Sequence, residues 1–232
     1  VVAKTPAESG KVATTDLVNF LEVTGAEFKR ENKNRRKWDA PTIADLDQDG
    51  YPDLLLNDHG YGVRVMWNNK GKYAKPYDIL MGDIHGIAVG DFDKDGLLEV
   101  FLSRGGGSGG NARNTKAYRV KKRTFTAIDD QFKTPLALMR GRTLKLNDLD
   151  NDGDLDLVNF AFPSKEKGGE SENYIHKNLG EGLLEIETML PPAHQNGQKT
   201  LVTDFNGDNI TDLLIYGHGS VKLYQGDGKL NF

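Results

Sequence analysis

Nine consecutive residues, Asp91-Phe-Asp93-Lys-Asp95-Gly96-Leu97-Leu-Glu99, carry acids at positions 1, 3, 5 and 9 and a glycine at position 6. Carboxylates at alternate positions of a curled loop point to one centre, and the glycine permits the sharp turn. The backbone carbonyl of position 7, Leu97, can add a further oxygen. An all-oxygen shell of this kind suits calcium, which takes roughly six to eight hard oxygen ligands at about 2.3–2.6 Å.

The arrangement recurs. Asp45-Leu-Asp47-Gln-Asp49-Gly50-Tyr51-Pro-Asp53 and Asp148-Leu-Asp150-Asn-Asp152-Gly153-Asp154-Leu-Asp156 repeat it. A fourth copy, Asp204-Phe-Asn206-Gly-Asp208-Asn209-Ile210-Thr-Asp212, has an amide at position 3. Its position 6 is Asn209, a residue that tolerates a left-handed backbone. Asp/Gly-rich surface turns are common, but turn chemistry does not require an acid repeated at position 9. An EF-hand is rejected because it needs glutamate at position 12 and flanking helices. Here position 12 is Leu56, Leu102, Asn159 and Ile215, each inside an apolar strand-like run.

The loops begin at residues 45, 91, 148 and 204, a period that marks a repeat architecture. Between them lie short alternating runs such as Gly62-Val-Arg-Val-Met-Trp67 and Ala117-Tyr-Arg-Val-Lys121, with no convincing amphipathic helix. Tight turns follow at Asn69-Lys-Gly71, Asn178-Leu-Gly180 and Gln225-Gly226. Each period therefore reads as strand A, acidic loop, strand B, connection, strand C, turn, strand D. Four antiparallel strands per repeat predict an all-β fold of propeller blades.

This pattern resembles the FG-GAP/VCBS repeat family, the calcium-bearing blades also found in integrin alpha-subunit headpieces. The resemblance covers about residues 38–232, with residues 1–37 as an N-terminal segment. Blades are expected at about 38–82, 83–138, 139–195 and 196–232. The resemblance implies three to four calcium ions, held in each loop by positions 1, 3, 5 and 9 and by the position 7 carbonyl of Tyr51, Leu97, Asp154 or Ile210. It also implies an extracellular, cell-surface or periplasmic setting, in adhesion or carbohydrate recognition. Blade number leaves two readings open. The run Asn19-Phe20-Leu-Glu-Val-Thr24 closes the ring as a last strand, or the chain contributes blades to a seven- or eight-bladed propeller or an oligomer.

At 232 residues and 37% hydrophobic, the chain can bury a sizeable core. No apolar stretch approaches the roughly 18 residues of a membrane-spanning helix. It begins Val1-Val2-Ala3 without an initiator methionine or a leader, which reads as a processed or trimmed product. There are no cysteines, hence no disulfide framework. The formal charge of −4 includes fifteen carboxylates at positions 1, 3, 5 and 9 of the loops; apart from these, 19 acids face 30 bases. Loaded with four calcium ions, the protein carries about +4, which allows an acidic partner.

Antiparallel order puts the A–B loops and C–D turns on one face and the longer B–C and D–A connections on the other. The second face is the expected binding face, for a carbohydrate or protein partner. Six residues before each loop stand Asp39, His85, Arg142 and Gln198, which should meet at the channel mouth on that face. A hydrated rim is the plainer reading of such polar groups. Trp38 is a candidate for stacking on a sugar, with Trp67 more naturally packed between blades. The basic run Lys33, Arg35, Arg36 and Lys37 could grip a sulfated or uronic polysaccharide or phosphates, with a solvated face as the plainer reading and no specific nucleic acid expected. No catalytic motif links the five histidines. A propeller-type polysaccharide lyase, with His85 as base and Arg142 on a uronate, or an accessory domain of a polysaccharide-degrading enzyme is the alternative, and a structural assembly protein a third.

Overall fold

The computed structural model describes residues 36–37, 41–105, 112–132, 136, 138–161, 173–182, 184–190, 199–217 and 220–232. All regular structure among them is β-strand. The first sheet holds β1 (Arg36–Lys37), β2 (Thr42–Ala44), β3 (Asp53–His59) and β4 (Gly62–Met66). A two-residue hairpin, β5 (Asn68–Asn69) and β6 (Lys72–Tyr73), leads to its outer strand β7 (Tyr77–Met81). The second is β8 (Ile84–Gly90), β9 (Leu98–Arg104), β11 (Lys116–Lys121) and β12 (Thr124–Ala127), flanked by the small pair β10 (Arg113–Asn114) and β13 (Leu138–Met139). The third is β14 (Gly141–Asn147), β15 (Asp156–Ala161), β16 (Asn173–Asn178) and β17 (Leu184–Leu190). The fourth contains β18 (Lys199–Thr203), β19 (Asp212–Gly217) and β20 (Ser220–Tyr224).

Every one of these sheets is antiparallel, and the acidic loop always joins the first long pair, as in β8–β9 and β14–β15. The four sheets are arranged as four blades of a β-propeller. Their first strands lie side by side, β8 against β2, β14 against β8 and β18 against β14, and β8 also meets β3.

Side chains on a strand alternate between its two faces, and both faces of the second and third blades meet a neighbouring blade. Val100 and Leu102 of β9 join Leu55, Val63 and Trp67 between the first and second blades. Phe101, between them, points the other way, to Phe92, Leu144 and Leu157. In β15, Leu157 faces the second blade while Val158 and Phe160 pack with Ile175, Leu213 and Ile215 of the third and fourth. This explains why the strand after each loop is largely apolar on both faces. Gly86 lets the inner strands approach closely, since a Cβ there would stand 2.7 Å from the Leu144 nitrogen. The outward faces of the series differ. Ile43 on β2, and Leu201, Val221 and Leu223 on the fourth blade, are exposed.

Candidate metal centres and the opposite face

All four acidic loops share one backbone. Position 4 is left-handed in each, at Gln48, Lys94, Asn151 and Gly207, and so is position 6, at Gly50, Gly96, Gly153 and Asn209. The fourth copy keeps the shape by using asparagine at position 6, with φ of 65°. The position 1 carboxylate closes the turn by accepting the position 6 N–H, as from Gly50 to Asp45 at 2.8 Å and from Asn209 to Asp204 at 2.8 Å. The position 5 acid accepts the N–H of position 7, with Leu97 to Asp95 at 2.8 Å.

The position 9 acid has a second duty. Asp53, Glu99, Asp156 and Asp212 are all essentially buried. One oxygen of each accepts the N–H of position 2: Leu46 at 2.9 Å, Phe92 at 2.9 Å, Leu149 at 3.1 Å and Phe205 at 3.0 Å. In blades one, three and four the other oxygen takes an N–H from the C–D turn: Asn68 at 2.7 Å, Asn178 at 2.9 Å and Gly226 at 3.0 Å. Blade two substitutes the Arg119 guanidinium, whose Nε donates to Glu99 at 3.0 Å. The acid thus ties its loop to the outer half of its blade.

Three of these loops gather carboxylates tightly enough to hold a cation. Asp45, Asp47 and Asp53, then Asp91, Asp93 and Glu99, then Asp148, Asp150 and Asp156 each place ligand oxygens within 4.8 Å of one another. Asp47 Oδ1, Asp148 Oδ1 and Asp150 Oδ1 are buried without a hydrogen-bond donor. Such oxygens are costly unless a cation meets them. Burial, with the charges of Asp95 and Asp91 beside it, pushes the Glu99 carboxyl up to about 7. Burial likewise raises Asp156 to about 7, with Asp150 and Asp152 adding to the effect. The donor set is all oxygen and fits calcium. The fourth loop presents Asn206 at position 3, whose Nδ2 donates to Asp208 at 2.9 Å.

Basic side chains already lean on these acids. Arg119 reaches Asp93, and Lys177 reaches Asp150 and, at 3.2 Å, Asp152. Arg123, in the β11–β12 turn of the second blade, reaches Asp47 of the first, and Asp49 at 3.4 Å. Its guanidinium also lies 5.3 Å from the centre of the Trp67 ring.

On the opposite face, His85 and Arg142 come together across blades two and three. Arg142 Nη1 lies against His85 Nδ1 and donates to the Gly141 carbonyl at 3.0 Å. That carbonyl is also 3.0 Å from His85 Nδ1. Burial holds the His85 imidazole below its usual range, and it also lowers Arg142 to about 10. Beside them a cleft of about 330 Å³ runs along the inner strands, lined by Thr42, Asn57, His85, Thr143 and Lys145 among others. Trp67 is buried and packs near Phe125 at a ring-centre distance of 5.9 Å. Trp38, Asp39 and Gln198 lie outside the described residues, as does the run 19–24.

Arg119, Arg123 and Lys177 carried no motif that sequence reasoning could use, and Asn178 was legible only as the start of a tight turn. Their one signal was position, on strand C or the turn after it. His59 and Asp83, which stand beside His85, were likewise missed because they belong to two different blades.

The profile of the FG-GAP-like repeat matches residues 38–102 and 148–215. Cartilage acidic protein 1 of Mus musculus is 26% identical over 177 residues, which is 75% of this chain and 26% of that protein. The chain thus spans about a quarter of that relative's length. Among solved structures, an Agrocybe aegerita lectin studied for specific recognition of non-reducing terminal N-acetylglucosamine superposes with a TM-score of 0.48 at 20% identity. That match covers 84% of this chain and 51% of the lectin. Repeated loop, blade topology and profile match agree: the chain belongs to the FG-GAP-like repeat family.

Proposed function

We propose that this chain is a calcium-stabilised, extracellular binding module that engages a carbohydrate or protein partner through the face opposite its calcium loops. The observation that carries the calcium part is the set of buried, donorless oxygens on Asp47, Asp148 and Asp150. Positions 1, 3, 5 and 9, with the carbonyls of Tyr51, Leu97, Asp154 and Ile210, would hold three to four ions. Calcium supplies charge neutralisation to the loops, and its binding energy adds to folding energy. Extracellular calcium modules of about 10⁻⁴–10⁻³ M affinity are loaded outside the cytosol. No helix among the described residues is long and apolar enough to cross a membrane.

The cleft beside Thr42, Asn57, Thr143 and Lys145 is the candidate ligand site, with hydroxyl, amide and ammonium groups suited to sugar hydroxyls or a carboxylate. Calcium-saturated protein should retain members of a panel of acidic and neutral polysaccharides, and Thr143→Trp, which fills the cleft, should abolish retention. Equal retention by the variant would remove the cleft from the account. The contact of Arg142 with His85 is what favours the second reading, a polysaccharide lyase. That reading needs His85 to reach a polymer, yet its side chain is fully buried, so binding is preferred.

A further inference from the structure

We infer that His59, Asp83 and His85 form a binding site for a divalent transition metal, separate from the calcium loops and on the opposite face of the propeller. The inference does not rest on the calcium reading.

The three residues reach one point from two blades. His59 ends β3 of the first blade, while Asp83 and His85 open the second. Their ligand atoms all lie within 4.8 Å of one another. Asp83 Oδ1 is 2.9 Å from His85 Nε2 and 3.5 Å from His59 Nε2. Ligands on adjacent corners of a metal shell with bonds of about 2.0–2.2 Å sit roughly 3–3.5 Å apart, so the spacing is that of a chelating set. The two imidazole rings stack with centres 4.9 Å apart and planes 19° from parallel, and the Nε2 atom of each lies near the same Asp83 oxygen.

The surroundings support such a set. A metal-binding histidine normally donates its other ring N–H to a carbonyl or carboxylate, and the Gly141 carbonyl already stands 3.0 Å from His85 Nδ1. Gly105 backs the cluster. A Cβ there would fall 2.5 Å from Asp83 Oδ2 and 2.6 Å from His85 Cε1, so only glycine leaves room for carboxylate and imidazole together. Its N–H donates to the Asp83 backbone carbonyl at 2.6 Å and fixes the segment. Exposure grades across the site, from 0% at the His85 side chain through 16% at Asp83 to 40% at His59. The cluster therefore has one side open to solvent, where water or a ligand would complete the shell.

Two imidazoles and one carboxylate select zinc and its first-row neighbours over calcium, which prefers oxygen alone. Arg142 is the competitor. While its Nη1 donates to His85 Nδ1, the ring proton sits on Nε2 and faces Asp83. Metal binding moves that proton to Nδ1, toward Gly141, and turns Arg142 aside.

The test is a zinc titration of calcium-saturated protein by calorimetry, repeated with cobalt(II) to read its visible absorption. Wild type should take up one zinc per chain in this calcium background. His59→Ala, a change at a partly exposed side chain, and Asp83→Asn should each weaken it by about tenfold or more. Cobalt should give visible bands with nitrogen ligation that disappear in His59→Ala. No saturable zinc in wild type, or zinc bound as tightly by both variants as by wild type, would overturn the inference. The cluster would then be a hydrogen-bonded histidine–aspartate pair only, with any zinc held elsewhere.

Discussion

Asn178 donates through its side chain to the Phe92 carbonyl oxygen at 2.8 Å, across 86 residues and from one blade to the loop of the next. Its backbone N–H meanwhile holds the position 9 acid of its own loop, Asp156. Its Nδ2 also reaches the Leu155 carbonyl of that third loop at 3.3 Å, so one buried side chain couples the second and third loops. Asn68, at the corresponding turn, donates at 3.0 Å to Pro52 within its own blade.

Replacing Asn178 with alanine should cost about 1–3 kcal/mol, because a buried carbonyl loses its donor. It should also weaken calcium binding at two loops together. Urea unfolding and calcium calorimetry would show this. A loss confined to one site would contradict the coupling.

The lysine and arginines on the loops should compete with calcium while supporting the calcium-free form. Lys177→Met leaves Asp150 and Asp152 without their ammonium partner. Calcium affinity at that loop should rise several-fold, with the chelated protein less stable by no more than about 1 kcal/mol, the range for partly exposed ion pairs. Calorimetry beside chemical unfolding reads both. Lower calcium affinity in the variant would contradict the competition.

Calcium should stabilise the fold more at pH 7.5 than at pH 5.5. Without calcium, the Glu99 and Asp156 carboxyls are raised to about 7 by burial. A carboxyl raised above its unfolded value of about 4 favours the folded state below that value and loses this contribution as pH rises through 7. Calcium binds the ionised form, so it recovers what the rising pH removes. His176, lowered to about 4 by burial, titrates in both calcium states and cancels in the comparison. The difference in melting temperature with and without calcium, measured at both pH values, tests this. A difference that shrinks with rising pH would contradict it.

If the outward faces of the blade series associate, they should do so through their exposed apolar side chains, Ile43 on one side and Leu201, Val221 and Leu223 on the other. Sedimentation of wild type should show concentration-dependent association. A double change, Val221→Lys with Leu223→Lys, should abolish it. Association unchanged by the pair would place the contact elsewhere.

Much of this was legible in advance because it is local. Acids at positions 1, 3, 5 and 9 and left-handed residues at position 6 announce a loop within nine residues, and an apolar run announces a strand buried on both faces. The rest depends on how blades sit together. Arg123 meets Asp47 over 76 residues, and no period relates them. His59 and Asp83 are 24 apart in sequence and converge because a strand end of one blade faces the strand start of the next. Position 9 carried a subtler surprise. Its acid recurs as strictly as a ligand would, and the structure shows that hydrogen bonds to the C–D turn also demand it in three of the four blades.

The most direct measurement is native mass spectrometry joined to thermal unfolding, with calcium present and after chelation. Three or four calcium ions per chain, and a melting temperature that falls by roughly 10 °C when they are removed, are expected for three ions each at about tenfold its dissociation constant. A chain that retains no calcium and melts at the same temperature in both conditions would contradict the calcium-stabilised propeller.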